Sequence, residues 1–267
     1  MALQVFSLEA AQKVCQYIRQ QLVLPTTEQQ PALADREAEI LYDMPEPASL
    51  DALGDLFRVG GFGEDDLPAP NVEGRWFIST IDPAAALQKL PGLTLKPRVR
   101  LVTYLQRRND GGMGVTWALP ELMSTTEQLE AAIATAGTEQ IPPHPRGALG
   151  HVMDGVTGDG SAASFLAASL LIRELKELGR SGALQRWGYH RLVAGVPPQP
   201  PWQWRSKVPQ DFSPKVKILP DHSALVEFFS CRTVAPITLF RHLDQYGSGS
   251  YRPKSHDQVI ALAPSSS

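Results

Sequence analysis

The residues with the greatest potential for chemistry lie in one glycine-rich segment, HVMDGVTGDGS at 151–161. A glycine loop that leads into a helix offers free backbone N–H groups and the positive end of the helix dipole, which suit phosphate or another anion. A histidine, two aspartates and a serine are also the residue types of a hydrolytic triad. The segment is therefore a candidate anion-binding loop, and in one alternative a hydrolase site, with the candidate residues His151, Asp154, Gly158, Asp159, Gly160 and Ser161.

The same segment departs from the established phosphate-binding and nucleophile motifs. It lacks the Lys-Ser/Thr ending of a Walker loop and the G-x-G-x-x-G spacing of a dinucleotide site. Ser161 does not stand between two glycines, as the serine of a nucleophile elbow does. In the structural alternative, Asp154 and Asp159 cap the following helix and complement its dipole. We predict no catalytic residue from this pattern.

A second group of candidates is basic. Lys96, Arg98 and Arg100 alternate along the sequence, so we expect them to project from one face of a strand. Arg107 and Arg108 lie at the end of the same predicted strand. Cations and aromatic rings together suit single-stranded RNA, because its phosphates contact the cations and its bases stack on the rings. The sequence pI of about 6.1 lies far below that of a typical RNA-binding domain. RNA binding is therefore the alternative function.

Rings and cations also alternate later in the chain, at Arg186, Tyr189, Trp202, Trp204 and Arg205. Trp202 and Trp204 belong to a proline-rich bridge at 197–204, which is typical of an extended polyproline segment, and Arg205 follows it. Tryptophan, tyrosine and arginine are enriched among the residues that anchor protein interfaces. The structural alternative is that the tryptophans fill the core. We expect these five residues to bind another protein.

Histidine and cysteine give no sign of a metal or cofactor. The six histidines show no paired helical spacing for metal ligation. Cys15 and Cys231 lie far apart and match no metal-ligand spacing. Both cysteines fall within apolar patterns, so we expect them to be small, buried, free residues. We predict no metal site and no cofactor.

The net charge of −3 conceals an uneven distribution. Residues 26–85 carry thirteen acidic side chains against three basic ones, whereas residues 86–267 carry fourteen against twenty. Either the two regions attract each other within one fold, or the acidic segment shields a basic binding face. No run of about 18 apolar residues predicts a membrane span, and the first residues do not resemble a signal peptide. We therefore expect a cytoplasmic location.

The pattern of elements predicts an α+β fold. Ser7 suits the N-cap of a helix that runs to about Leu24. Ser124–Glu127 has capping-box spacing for a second helix, which runs to about Ala136. Ser161 suits the N-cap of a third helix. Short helices are predicted at 32–43 and 48–58, within an acidic segment at 26–74 that is rich in proline and glycine. Strands are predicted at 75–81, 99–107, 114–120, 187–194, 215–219, 224–234 and 257–262. Since βαβ alternation is absent, we expect a mostly antiparallel sheet with helices packed on one face. We expect the whole chain, 1–267, to form a single domain.

Residues 154–195 resemble a block found in soluble cyanobacterial proteins of undefined function. The block consists of the Asp- and Gly-rich loop, a helix that contains LIREL, and a strand that begins WGYHRLV. The segment VEFFSCRTVAPITLFRHLDQY at 226–246 is similar in character. The resemblance implies a cytoplasmic accessory factor of a photosynthetic bacterium, or one peripheral to thylakoid membranes.

These observations favour a non-enzymatic accessory factor that binds another protein, in the assembly or regulation of a larger, photosynthetic complex. The first alternative is a single-stranded RNA-binding protein that uses the Lys96, Arg98 and Arg100 face. The second alternative is a hydrolase or anion-binding enzyme that uses the loop at 151–161.

Overall fold

The α+β class with a mostly antiparallel sheet, predicted from the sequence, is confirmed. The computed structural model describes residues 2–29, 72–109, 111–136, 141–198 and 201–263. The predicted short helices at 32–43 and 48–58 lie outside the described residues, as does most of the acidic segment. The three α-helices of the described residues are α1 (Leu8–Gln21), α2 (Thr126–Ala136) and α3 (Ala162–Glu177).

The first helix begins as predicted and ends earlier. Its N-cap is Ser7, whose hydroxyl accepts a hydrogen bond from the Ala10 N–H at 3.1 Å. The helix ends at Gln21 rather than near Leu24. Its buried residues are Ala11, Cys15 and Ile18, spaced four and three apart, so they form one stripe along the helix.

The second helix is capped one residue later than predicted. The Thr125 hydroxyl accepts from the Gln128 N–H at 3.4 Å, whereas the Ser124 hydroxyl donates to the Glu121 carbonyl. Ser124 closes the preceding turn of 3₁₀ helix at Glu121–Met123. The predicted capping box at Ser124 is therefore wrong by one position.

The third helix is the centre of the core. Ser161 caps it as predicted, by accepting from the Ser164 N–H at 3.1 Å. Every residue from Ser164 to Leu175 is buried, which is the behaviour of a helix enclosed by other elements on all sides. Gly179, two residues beyond the end of the helix at Glu177, has a φ of 79°, and a Cβ there would collide with the Leu105 side chain.

Within the described residues, twelve strands form three sheets. They are β1 (Ala2–Val5), β2 (Trp76–Ile78), β3 (Leu93–Leu95), β4 (Val99–Arg108), β5 (Gly111–Pro120), β6 (Val156–Gly158), β7 (His190–Leu192), β8 (Gln203–Trp204), β9 (Lys215–Ile218), β10 (Ala224–Arg232), β11 (Thr238–Tyr246) and β12 (Pro253–Leu262). The large antiparallel sheet has the order β1-β9-β10-β11-β12-β8, and β7 pairs with the end of β10. The predicted hairpin of β4 and β5 is confirmed, with β2 on its other edge.

Five strands were not predicted: β1, β3, β6, β8 and β11. The most consequential is β11, which pairs along its whole length with both β10 and β12. Strand β6 lies inside the segment that we expected to be a glycine loop, and it pairs with β3.

The large sheet is covered on both faces by different parts of the chain. Phe228 on β10 faces the main cluster, where α3 and α1 pack on the sheet. Phe229, its neighbour, faces the opposite side and packs in a smaller cluster with Phe212 and Leu239. The predicted packing of helices on one face therefore holds for this sheet. None of the described helices is long and apolar enough to cross a membrane.

Candidate functional site

Four polar side chains form a hydrogen-bonded chain across four neighbouring strands. Asp257 on β12 lies opposite His242 on β11, and its Oδ1 is 2.7 Å from His242 Nδ1. His242 Nε2 is 2.7 Å from the hydroxyl of Ser230 on β10. The same hydroxyl is 2.8 Å from Nδ1 of His190 on β7. The strand register thus builds a continuous relay from Asp257 to His190.

The Asp257 carboxylate fixes the direction of this relay. Burial pushes the pKa of Asp257 upward, but the hydrogen bond from His242 and the charge of Arg173 outweigh it and hold the pKa well below its ordinary value. An ionised carboxylate only accepts, so His242 Nδ1 carries the proton. Burial lowers the pKa of His242, so this imidazole is neutral and its Nε2 accepts from the Ser230 hydroxyl.

Arg173 on α3 anchors the acidic end of the relay. It donates two hydrogen bonds to Asp244, at 2.6 and 3.1 Å, and one to Asp257 at 2.9 Å. Its guanidinium also lies 4.8 Å from the ring centre of Phe228 and 5.7 Å from that of Trp187. A buried cation with this many contacts holds α3 against the sheet in one position.

Beside the relay, at the carboxyl end of α3, is a pocket of about 360 Å³. We call it the cationic pocket. Its lining includes the aromatic rings of Trp187, His190 and Phe240. Four basic side chains also line it: Lys176, Arg180, Arg186 and Arg232. Arg173 and two carboxylates, Glu177 and Asp257, complete the charged lining.

The two carboxylates of the pocket are already bonded. Asp257 is held by Arg173 and His242, and Glu177 Oε1 accepts from the backbone N–H groups of Arg186 and Gly188 at 2.7 and 2.8 Å. These bonds keep both acidic groups attached to the protein. The cationic pocket therefore presents an excess of positive charge.

The four basic side chains find no acidic partner in the described part of the chain. None of them lies within 4.0 Å of a carboxylate oxygen there. The Nε of Arg180 is enclosed and has no acceptor among the same residues. Buried donors are nearly always bonded in proteins, so an unsatisfied one is an uncommon feature at a pocket wall.

The relay has the order of a hydrolytic triad but cannot act as one in this arrangement. Ser230 is fully buried, and its hydroxyl is held between the imidazoles of His190 and His242. A nucleophile must reach the substrate, and this one is enclosed. What the relay does instead is fix the protonation and orientation of His190.

The glycine-rich segment at 151–161 is hydrogen-bonded to other parts of the protein and within itself. Ser161 caps α3, Asp159 Oδ1 accepts from the Ser161 N–H at 2.9 Å, and the Gly160 N–H donates to the Tyr251 hydroxyl at 2.9 Å. Gly158 belongs to β6. The N–H groups of Gly160 and Ser161, which an anion would require, therefore already have acceptors within the protein.

The other two candidates of that segment also have local roles. His151 Nδ1 accepts from the Met153 N–H at 3.1 Å, and Asp154 pairs with Arg252 at 3.3 Å. Ligand binding by this segment stays a prediction, and its described contacts are those of the structural alternative.

The predicted basic strand face is not formed. Strand β4 begins at Val99, so Lys96 and Arg98 precede it, and only Arg100 belongs to it. Arg98 takes a left-handed conformation with a φ of 57°, which breaks the alternation of side chains. All three side chains are exposed, but they do not share a strand face. Arg107 and Arg108 do lie at the hairpin end of β4, as predicted.

The five residues predicted to bind a protein are divided between two regions. Trp202 and Trp204 are half-buried and pack against the cluster on the far face of the large sheet. Arg186 lines the cationic pocket on the near face, and Tyr189 is in the turn just before β7. Arg205 is exposed beside β8. The tryptophans thus have a structural role, while Arg186 is at the candidate site.

The packing of the tryptophans makes a testable prediction. We expect Trp204→Ala to lower the free energy of unfolding by about 1–2 kcal/mol, because half of a large ring leaves its apolar contacts. We expect Arg205→Ala to change it by less than about 0.5 kcal/mol, because its side chain is exposed. Urea denaturation of both variants checks this. Equal stabilities would show that Trp204 has no packing role.

Most residues of the site were not predicted from the sequence. Arg173, Ser230, His242, Asp244 and Asp257 were not singled out. One signal was present: along β11, His242, Asp244 and Tyr246 alternate on one face, and polar residues at alternate positions beside an aromatic ring are unusual for a buried face. Free, buried Cys15 and Cys231 are confirmed.

No protein-family model, no curated protein and no solved structure matches the chain. The resemblance of residues 154–195 to cyanobacterial proteins therefore stays a prediction. Within the described residues, no three His, Cys, Asp or Glu side chains group together in a way that could hold a metal ion.

Proposed function

We propose that the protein is a non-enzymatic accessory factor that binds an anionic group of a partner protein in the cationic pocket. The observation that supports this most strongly is the set of four basic side chains that line one pocket without acidic partners in the described residues. Arg186, one of the residues predicted to bind a protein, belongs to this set.

The electrostatics of the pocket favour an anionic ligand. Like charges that line one concave surface repel each other, and the low-dielectric walls concentrate their field. An anion relieves that repulsion and accepts charge-assisted hydrogen bonds, which are about twice as strong as neutral ones. The aromatic rings of Trp187 and Phe240 add an apolar surface for the rest of the ligand.

The alternatives have less support in the described geometry. The RNA-binding proposal relied on one basic strand face, which does not exist because Lys96 and Arg98 precede the strand. The hydrolase proposal relied on the segment at 151–161, where Ser161 caps a helix and Asp159 supports that cap. A binding function needs neither feature.

Reversal of charge in the pocket tests the proposal. In affinity capture from a native lysate, we expect the double variant Arg186→Glu, Arg232→Glu to retain at least tenfold less of the partner that the wild type retains. The matched control is Arg205→Glu, an exposed arginine outside the pocket, which should retain the partner fully. Retention by the wild type should also fall as salt increases.

Two outcomes would contradict the proposal. If the pocket variant retains the partner as well as the wild type does, the cationic pocket is not the binding surface. If Arg205→Glu alone loses the partner, the surface is the proline-rich bridge instead. Circular dichroism of each variant shows that a loss of binding is not a loss of folding.

A further inference from the structure

The relay determines which nitrogen of His190 carries a proton. The Ser230 hydroxyl gives its hydrogen to His242 Nε2, since His242 Nδ1 is already the donor to Asp257. The Ser230 oxygen must then accept from His190 Nδ1. A neutral imidazole has one N–H, so Nε2 of His190 is left with a lone pair.

His190 stays neutral at physiological pH. Burial, with the neighbouring His242 and Arg232, lowers the pKa of His190 to about 4. Asp257 acts in the opposite direction and Arg173 in the same direction as Arg232, but both effects are smaller. The ring is also held in place by two neighbouring rings. It stacks on Trp187, with 5.0 Å between the ring centres, and its centre lies 4.9 Å from that of Phe240.

The cationic pocket therefore combines two unlike requirements. Its arginines and lysine offer donors to an anion, whereas His190, which also lines the pocket, has a free nitrogen that accepts a hydrogen bond. Nε2 of His190 has no hydrogen-bond partner within the described part of the chain. A ligand that satisfies the whole site carries negative charge and a hydrogen-bond donor within the same small group.

We propose that the cationic pocket binds a phosphate-type oxyanion that keeps a proton, and that this proton is donated to Nε2 of His190. The inference rests on the proposed function, since it names the anionic group that the pocket would take. Arg180, Arg186 and Arg232 contact the oxygens that carry charge, and His190 contacts the protonated one.

Sulfate, carboxylates and phosphodiesters lack this combination. Sulfate and carboxylates carry no proton near neutral pH, so each would place an oxygen lone pair against the lone pair of His190. A phosphodiester has no proton to donate either, which makes the backbone of RNA a poor match. A buried acceptor that faces another acceptor loses its hydrogen bond and is repelled, and sites built on this contrast discriminate strongly.

The first test compares inorganic phosphate with sulfate, by isothermal titration calorimetry on the full chain at pH 7. The two ions have similar size and shape, but only phosphate has a proton. We expect phosphate to bind at least tenfold more tightly, which is about 1.4 kcal/mol. Equal binding of the two ions overturns the inference and leaves the anion-binding pocket standing. If neither ion binds, both the inference and the pocket fail.

A serine variant tests the part played by the relay. Ser230→Ala removes the acceptor of His190 Nδ1, so His190 can move its proton to Nε2, and we expect the preference for phosphate to fall to less than about threefold. The matched control is Ser169→Ala, another fully buried serine, which hydrogen-bonds Tyr246 at 2.8 Å. That control should keep the preference. An unchanged preference in Ser230→Ala would overturn the relay argument.

A measurement on the wild type covers the case in which Ser230→Ala does not fold. Imidazole nitrogen chemical shifts report which nitrogen of each histidine is protonated. We expect His190 and His242 both to carry the proton on Nδ1 at pH 7. A proton on His190 Nε2 in the free protein would contradict the inference directly.

The source of the oxyanion is distinguished by a phosphoserine peptide. A phosphate monoester loses its second proton near about pH 6. If the group is carried by a phosphorylated partner, the peptide should bind more tightly at pH 5.5 than at pH 7.5, while His190 stays neutral at both. If the pocket serves free phosphate, only the inorganic ion binds. Tighter peptide binding at pH 7.5 would overturn the proposal, because the protonated form would then not be the ligand.

Discussion

Arg173→Ala should lower the free energy of unfolding by about 3–5 kcal/mol, the largest effect that we expect from a single substitution in this protein. The substitution leaves Asp244, which is fully buried, without its cation. An uncompensated carboxylate in the interior is costly, and the 2.6 Å contact that offsets its desolvation is lost. Chemical denaturation monitored by tryptophan fluorescence measures the change.

Two controls show whether the loss of stability in Arg173→Ala comes from the unpaired buried carboxylate rather than from the loss of an ion pair in general. Lys13→Ala breaks an exposed pair with Glu9 on α1 and should change stability by less than about 0.5 kcal/mol. The double variant Arg173→Met, Asp244→Leu removes both buried charges and should recover most of the stability that Arg173→Ala loses. If Arg173→Ala is no worse than Lys13→Ala, the buried pair does not anchor α3 to the sheet.

Acidification from about pH 6.5 to about pH 4 should lower the free energy of unfolding by about 2–3 kcal/mol. Burial lowers the pKa of both His190 and His242, in the case of His190 to about 4, whereas in the unfolded chain each has an ordinary value near 6.5. Between these values the unfolded chain binds more protons than the folded protein, so stability falls as pH falls. Partial exposure of His190 reduces the effect below the full value of its shift.

The contribution of His190 is isolated by comparing the pH dependence of the free energy of unfolding between His190→Gln and the wild type. Glu174, whose pKa burial raises, acts in the opposite direction at acidic pH, but it is present in both proteins. We expect the variant to lose less stability than the wild type over the same window. The control His256→Gln, an exposed histidine, should behave as the wild type does. Parallel pH profiles for wild type and His190→Gln would show that His190 is not titrating as the structure requires.

The elements that were predicted correctly are those whose helix caps or turns are formed by residues close together in the sequence. Ser7 and Ser161 cap helices as expected, because a serine just before a helix has a local partner, the backbone N–H three residues later. The hairpin of β4 and β5 was predicted for a similar reason, since strand and turn residues are adjacent in sequence. Strand β11 was missed because two of its buried positions, His242 and Asp244, are polar and break the apolar alternation.

The candidate site could not be predicted because its parts are brought together by strand register. His190, Ser230, His242 and Asp257 are spread over 68 residues, and each alone has the properties of a structural residue. Their hydrogen bonds exist only because four strands pair in one order. Arg186 was identified, but for an interface with Trp202 and Trp204, which the structure places on the far face of the sheet.

The most direct test of the anion-binding pocket is an anomalous-difference map from crystals of the full chain soaked in arsenate, an analogue of phosphate that also keeps a proton. We predict a peak in the cationic pocket, within hydrogen-bonding distance of Arg180, Arg186 or Arg232 and of Nε2 of His190. A peak at the amino end of α3, beside Gly160 and Ser161, would contradict the account and restore the glycine-rich segment as the anion site. A map with no peak in the pocket at saturating arsenate would contradict it as well.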